Sequence, residues 1–142
     1  MEIHRKRLVI LNAEDDPDDQ FLFDRALEKI GLEAQLIFVN DGEQLLDYLH
    51  RRSPFTNPIA YPRPDIIFID LRMPRIDGHS AIETIKTDAD LCDIPLVAIS
   101  TSNDPDDADY SRRIGAAAFI PKGTIDDLGR RIATAVQEAS IL

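Results

Sequence analysis

The sequence predicts one α/β domain built on a parallel sheet with helices on both faces. Five short apolar segments alternate with five segments whose apolar residues recur at helical spacing. The apolar segments are continuous, which is typical of strands buried on both faces of a parallel sheet. We expect a single domain over residues 1–142, with its core at about 7–139.

The first two strand–helix units lie in the N-terminal third of the chain. Arg7–Asn12 is predicted to be the first strand, and Pro17–Ile30 the first helix, which opens on a proline and is followed by Gly31. Ala34–Val39 is predicted to be the second strand and Glu43–Arg51 the second helix. The chain therefore starts as two consecutive strand–helix units.

A long loop separates the second helix from the third strand. Residues Ser53–Pro64 contain four prolines, which cannot sit inside a helix or a central strand. We therefore predict an irregular insertion at about 53–64. Asp65–Leu71 is predicted to be the third strand and Gly78–Lys86 the third helix.

The last two units complete the alternation. Ile94–Ser100 and Ala117–Ile120 are predicted to be the fourth and fifth strands. Asp106–Ile114 and Ile125–Ala139 are predicted to be the fourth and fifth helices. Parallel strands joined by helices cross over in the right-handed sense, so this pattern predicts a doubly wound sheet.

Composition argues against several classes of function. The formal net charge is −10, which would repel nucleic-acid phosphates and anionic lipids, so we expect neither nucleic-acid nor membrane binding. No apolar run approaches the ~18 residues of a membrane span, and we expect a cytoplasmic protein. Cys92 is the only cysteine and the histidines are scattered, which excludes an internal disulfide and argues against a histidine metal cluster.

Polar side chains stand where four of the predicted strands end. The acids Glu14–Asp16 follow the first strand, Asp70 ends the third, Ser100 ends the fourth and Lys122 follows the fifth. Because the carboxyl ends of parallel strands lie at one edge of the sheet, these side chains should converge. Singly, each residue is readily explained as a cap, a turn residue or a solvated side chain. Their joint placement favours a site.

The chemistry of this set is that of phosphoryl transfer. Clustered carboxylates repel one another unless a cation joins them, and an oxygen-only ligand set suits Mg²⁺. Asp70 would be the nucleophile, with Mg²⁺ balancing the charge of the transferring group. Lys122 would bind one phosphate oxygen and Ser100 would donate a hydrogen bond to another.

With these residues in place, the sequence resembles the receiver domain of bacterial response regulators from Arg7 to about Ala139. The resemblance is carried by four motifs in order, namely Leu11–Pro17, Ile69–Pro74 with Asp77–Gly78, Ala98–Thr101 and Phe119–Lys122. It implies a flavodoxin-like (βα)5 sandwich whose five-stranded parallel sheet has the order 2-1-3-4-5. It also implies a signalling phosphoacceptor of a two-component phosphorelay, which catalyses only its own phosphorylation and dephosphorylation.

The resemblance assigns the metal ligands. Asp70 would carry the phosphoryl group and would also bind Mg²⁺. Asp15 would bind the ion directly and Glu14 through water. The backbone carbonyl of Arg72 would complete the protein ligands.

The resemblance also assigns switch residues. Ser100 would move toward the phosphoryl group, Lys122 would be the family's lysine, and Phe119 would be the aromatic residue whose rotamer follows phosphorylation. The sequence departs from the usual pattern at Gly123, where most receivers have a proline held in a cis peptide. A Lys122–Gly123 bond should be trans. Arg72 adds a cation beside the site.

The proline-rich loop resembles the single-domain regulators that are paired with bacterial phytochrome kinases. The implied partner is a sensor histidine kinase, which in this subgroup is a bacterial phytochrome, or a histidine phosphotransfer protein. We expect no output domain, so the signal would leave through a switched surface. The fourth helix, fifth strand and fifth helix would form that surface and could also form a homodimer interface.

The same residues disfavour three other functions. An aspartate-based phosphatase of the haloacid dehalogenase type needs a second aspartate two residues after the nucleophile, where this sequence has Arg72. A receiver-like scaffold that is never phosphorylated would not need the acids, Asp70, Ser100 and Lys122 together. Flavin binding on this fold class is disfavoured because three acids after the first strand would repel the cofactor phosphate.

Overall fold

The computed structural model describes residues 7–101 and 104–139, in which five strands alternate with five helices. The strands are β1 (Leu8–Ala13), β2 (Ala34–Val39), β3 (Ile66–Asp70), β4 (Leu96–Ser100) and β5 (Ala118–Pro121). The helices are α1 (Pro17–Lys29), α2 (Gly42–Leu49), α3 (Gly78–Lys86), α4 (Pro105–Arg113) and α5 (Ile125–Glu138). All ten predicted elements are present, and their boundaries differ from the predicted ones by at most two residues. The rest of the predicted domain, residues 1–6, 102, 103 and 140–142, lies outside the described residues.

The five strands form one parallel sheet in the order β2-β1-β3-β4-β5. This confirms the flavodoxin-like, doubly wound fold. Helices α1 and α5 pack on one face of the sheet, and α2 and α3 pack on the other. The strand order reverses between β1 and β3, and a crevice is expected at the carboxyl ends of two such strands. Glu14 and Asp70 lie at those ends.

Two hydrophobic clusters, one on each face of the sheet, hold the central strands in place. Every residue of β1, β3 and β4 is buried. Successive side chains of a strand face opposite sides, so Ile10 joins the cluster under α1 and α5 while Leu11 joins the cluster under α2 and α3. The rings of Phe23 and Phe68 meet edge to face at 5.1 Å and join α1 to β3. The strand ends that carry the polar residues are therefore fixed from both faces.

The proline-rich loop at 53–64 contains no helix or strand, as predicted. It is held against α2 by aromatic contacts, with ring centroids of Tyr48, Phe55 and Tyr61 between 5.1 and 5.9 Å apart. The Tyr48 hydroxyl also donates a 2.7 Å hydrogen bond to the carbonyl of Pro62. The insertion is therefore packed onto the domain at defined points.

Each helix begins with a side chain that caps its first turn. The capping residues accept a hydrogen bond from a backbone N–H of that turn, and they are Asp16, Asp41, Asp77, Asp104 and Thr124. Helix α1 is followed by Gly31 at φ +67°, the left-handed conformation that favours glycine after a helix. Among the described residues, no helix has the length and apolar character needed to cross a membrane.

Candidate functional site

The carboxyl ends of β1 and β3 bring three acids together. Glu14, Asp15 and Asp70 each have a carboxylate oxygen within 4.8 Å of the others. The backbone N–H of Glu14 donates to the carbonyl of Val39 at 2.9 Å, which fixes the chain where it leaves β1. Glu14 and Asp70 are 3% and 6% exposed, whereas Asp15 is open to solvent. The cluster therefore has two buried carboxylates and one that faces water.

Lys122 provides the cation of this cluster. Its Nζ lies 2.7 Å from Glu14 Oε1, 2.7 Å from Asp19 Oδ2 and 2.8 Å from Asp70 Oδ2. The lysine follows β5, and its backbone N–H donates to the carbonyl of Ser100 at 2.7 Å. An ammonium has three N–H donors, and the three carboxylates provide one acceptor for each of them.

Backbone groups hold the remaining oxygens of the two buried acids. The N–H of Arg72 donates to Asp70 Oδ1 at 2.9 Å, and the N–H of Asp16 donates to Glu14 Oε2 at 3.2 Å. Each buried carboxylate is thus held by a backbone N–H on one oxygen and by Lys122 on the other. This arrangement fixes the orientation of Asp70, whose side chain is the predicted phosphorylation site.

Burial and charge act on the protonation of this cluster in opposite directions. The pKa of the Glu14 carboxyl is raised to about 7, mainly by burial. The charge of Asp70 adds to this rise, and the hydrogen bond from Lys122 opposes it. Burial by itself would lower the pKa of Lys122, but hydrogen bonds to its three carboxylates outweigh burial and raise that pKa above its usual value. Lys122 is therefore charged at neutral pH.

The two predicted switch residues lie on β4 and β5. Ser100 ends β4, is 1% exposed and pairs with Pro121 of β5 through the sheet register. Phe119 is half-buried and packs against the core cluster under α2 and α3. It also lines a groove of about 330 Å³ between β5 and α5. The backbone of Ser100 is therefore hydrogen-bonded to the backbone of Lys122 beside the site. Phe119 lies three residues before that lysine.

Asp19 is a site residue that the sequence reasoning missed. It lies in the first turn of α1, where an acid is normally explained by the helix dipole. Its contact with Lys122 joins residues 103 positions apart. The only local signal was its position two residues after Pro17 in the motif that follows the first strand.

Gly123 is the position where this sequence differs from the usual receiver pattern of a proline in a cis peptide. The one cis peptide in the described part of the chain is Ser53–Pro54, so the Lys122–Gly123 bond is trans, as predicted. A Cβ at Gly123 would have only ordinary contacts, the nearest 3.7 Å away on Asp127. The glycine is therefore not required by close packing.

The donor set fits a hard divalent cation. The three clustered carboxylates offer only oxygen ligands, the type that Mg²⁺ prefers. A cation held there, together with the Lys122 ammonium, would attract and neutralise a phosphoryl group. The arrangement can thus stabilise an acyl phosphate on Asp70, and the roles of the individual residues remain predictions.

Comparisons with known proteins identify the family. The response regulator receiver domain matches residues 10–133. Response regulator Rcp1 of Synechocystis sp. is 32% identical over 114 residues, which are 80% of this chain and 76% of Rcp1.

Solved structures of similar proteins cover nearly the whole chain. Response regulator RPA3017 in red light signaling of R. palustris has a TM-score of 0.85 at 30% identity, covering 92% of each chain. The phosphorylated cyanobacterial phytochrome response regulator RcpA has a TM-score of 0.83 at 28% identity and 96% coverage of each. The Mn²⁺-bound form of Rcp1 has a TM-score of 0.79 at 28% identity and 92% coverage of each. Taken with the acids and the lysine at the strand ends, these matches establish that the chain belongs to the response regulator receiver domain family.

Proposed function

We propose that this protein is a phosphoacceptor that takes a phosphoryl group on Asp70, with Mg²⁺ as its cofactor. The observation that carries the proposal is the 2.8 Å contact of Lys122 Nζ with Asp70 Oδ2 beside the clustered acids Glu14 and Asp15. A carboxylate that gains a phosphoryl dianion needs positive charge close by. This site offers a lysine and a set of oxygen ligands for a metal ion.

Four residues would hold the cation. Asp15 and Asp70 would bind Mg²⁺ directly, the backbone carbonyl of Arg72 would complete the protein ligands, and Glu14 would bind through water. When bound, Mg²⁺ neutralises charge on the transferring phosphoryl group. Two observations support this ligand set, namely the exposed carboxylate of Asp15, which is open to an incoming ion, and the Mn²⁺ bound by the related Rcp1.

The residues of the chain carry out the transfer. One carboxylate oxygen of Asp70 attacks the phosphorus of a phosphohistidine, forming an O–P bond while the P–N bond breaks. The imidazole leaves with a proton taken from water. Lys122 exchanges its contact with Asp70 for a phosphoryl oxygen, and Ser100 donates a hydrogen bond to another. Attack by water later releases inorganic phosphate and restores the carboxylate.

The output would follow from the link between the site and β5. Because the carbonyl of Ser100 accepts from the backbone N–H of Lys122, a movement of Ser100 toward the phosphoryl group would shift both strands. Phe119 would then change its rotamer at the groove between β5 and α5. The surface formed by α4, β5 and α5 would bind a partner or a second copy of the chain.

The phosphoryl donor would be a sensor histidine kinase or a histidine phosphotransfer protein in the cytoplasm. Two similar solved structures, RPA3017 and RcpA, are regulators of red light or phytochrome signalling. Together with the packed loop at 53–64, they favour a bacterial phytochrome as the kinase. The net charge of −10 disfavours binding to nucleic acid or to an anionic membrane.

Phosphorylation by acetyl phosphate tests the proposal. Intact mass should rise by about 80 Da only when Mg²⁺ is present. Asp70→Asn should show no gain, whereas Asp18→Asn, an exposed acid outside the cluster, should gain mass as the wild type does. An autophosphorylated bacterial phytochrome, used as donor in place of acetyl phosphate, should transfer faster than an unrelated histidine kinase.

Each other outcome has a definite meaning. Equal labelling of Asp70→Asn would overturn the assignment of Asp70. A folded wild-type protein that gains no mass from any donor would favour a scaffold that is never phosphorylated. Sustained turnover of p-nitrophenyl phosphate would indicate a phosphatase, in spite of Arg72 at the position where such an enzyme needs a second aspartate.

A further inference from the structure

Asp19 is the one partner of the Lys122 ammonium that stands apart from the acidic cluster. Glu14 and Asp70 lie in that cluster with Asp15, within reach of a common cation. Asp19 instead reaches Lys122 from the first turn of α1, with its Oδ2 2.7 Å from Nζ. When a cation and a phosphoryl group engage Glu14 and Asp70, Asp19 is therefore the carboxylate partner that Lys122 keeps while its contact with Asp70 is exchanged for a phosphoryl oxygen.

The lysine needs that remaining partner. The Lys122 side chain is only 17% exposed, and the Asp19 side chain is 27% exposed. An ammonium that is mostly buried is costly to keep without a counterion. Because lysine has a flexible four-carbon stem, an unpartnered Lys122 could turn toward water and leave the site.

Lys122 and Asp19 line a common cavity. A cavity of about 120 Å³ is lined by Lys122, Asp19 and Glu14, together with apolar side chains of α1 and α5 such as Phe23 and Leu128. The two residues therefore have free space beside their contact, which leaves room for the ammonium to move.

We propose that Asp19 is a positioning residue, which keeps the Lys122 ammonium at the site while its contact with Asp70 is exchanged for a phosphoryl oxygen. This inference rests on the proposed function, because it assigns one more residue to the same reaction. Asp19 acts only through Lys122 and does not touch the reacting atoms.

The rate of phosphoryl uptake from acetyl phosphate at saturating Mg²⁺ tests this role. Asp19→Ala should lower that rate about tenfold, because Lys122 is no longer held in place for the transfer. Asp19→Glu restores the charge and should recover most of the rate. Asp18→Ala removes an exposed acid from the same turn of α1 and serves as the matched control, with a rate equal to that of the wild type.

A double-mutant cycle separates positioning from a structural role. In a Lys122→Ala background, Asp19→Ala should cause no further loss of the residual rate, because the two residues act as one unit. An Asp19 that served only to stabilise α1 would lower the rate in both backgrounds and would be rescued by lower temperature. If Asp19→Ala does not fold, the near-isosteric Asp19→Asn replaces it in every arm.

The failures of the two proposals are distinguishable. If the wild type is labelled and Asp19→Ala matches Asp18→Ala in rate, the inference on Asp19 is overturned and the phosphoacceptor function stands. The same holds if Asp19→Ala lowers the rate equally with and without Lys122. If the wild type itself is not labelled, the proposed function fails first.

Discussion

At the scale of single residues, the backbone position of Asp70 depends on Gly78, a residue outside the acidic cluster. Gly78 begins α3, and its N–H donates to the carbonyl of Leu71 at 3.1 Å. A Cβ at this position would lie 2.5 Å from Leu71 Cα and 2.7 Å from the carbonyl oxygen of Asp70. Both are backbone atoms, which cannot swing aside as a side chain can. The first turn of α3 therefore lies directly against the backbone that carries the predicted phosphorylation site.

Gly78→Ala should therefore destabilise the fold and disturb the site. We expect the free energy of unfolding in urea to fall by about 1–3 kcal/mol, the usual cost of overpacking. Phosphoryl uptake should also slow, because relief of the contact moves the backbone of Asp70. Gly123→Ala is the matched control, since its nearest contacts at 3.7 and 3.8 Å are ordinary, and its stability should not change. Equal stability of the two variants would contradict this account.

The same scale shows which site residues could be predicted from sequence. Asp70 ends a strand, Glu14 and Lys122 each follow one, and strand ends can be located from continuous apolar runs. The contact of Asp19 with Lys122 depends on how α1 is rotated about its axis and on how close it lies to the end of β5. Neither the rotation of α1 nor its distance from β5 can be predicted from a local sequence pattern. Asp19 could therefore not be assigned to the site from the sequence.

At the scale of elements, α2 and the proline-rich loop pack against each other, and the loop covers a residue of α2. Helix α2 ends at Leu49, two residues before the predicted end, and Arg51 has the left-handed φ of 56° that a helix cannot contain. Helical spacing could identify the inward-facing leucines of α2. It could not predict that Tyr48 would be only 3% exposed, because Tyr48 is covered by Phe55 and Tyr61 of the loop.

Tyr48→Phe should loosen the loop while leaving the aromatic packing in place. The change removes the 2.7 Å hydrogen bond to the Pro62 carbonyl and should cost about 1 kcal/mol of unfolding free energy. Amide hydrogen exchange within residues 53–64 should become faster. Tyr110→Phe removes an exposed hydroxyl that donates to Glu83 and should leave both quantities near the wild type. Unchanged exchange in Tyr48→Phe would argue against a restraining role for the hydroxyl.

At the scale of the whole molecule, the topology concentrates negative charge at one edge of the sheet. A parallel sheet with a reversal between β1 and β3 gathers the ends of these strands at one crevice. Glu14 and Asp15 are adjacent in the sequence, but Asp70 is remote from both, so the three carboxylates meet only in the folded chain, in a protein whose formal net charge is −10. A divalent cation should therefore bind the folded state in strong preference to the unfolded state.

Mg²⁺ should accordingly raise the thermal stability of this protein. A ligand that binds only the folded state stabilises it by about 2.7 kcal/mol when present at a hundred times its dissociation constant. Asp15→Asn should remove most of this gain, because the variant loses the carboxylate that faces solvent without touching the contacts of Lys122. Asp18→Asn should keep the gain. Melting curves in MgCl₂, and in NaCl at equal ionic strength, distinguish site binding from screening of the net charge. A rise that NaCl reproduces, or that Asp15→Asn retains in full, would mean that the acids act only through their overall charge.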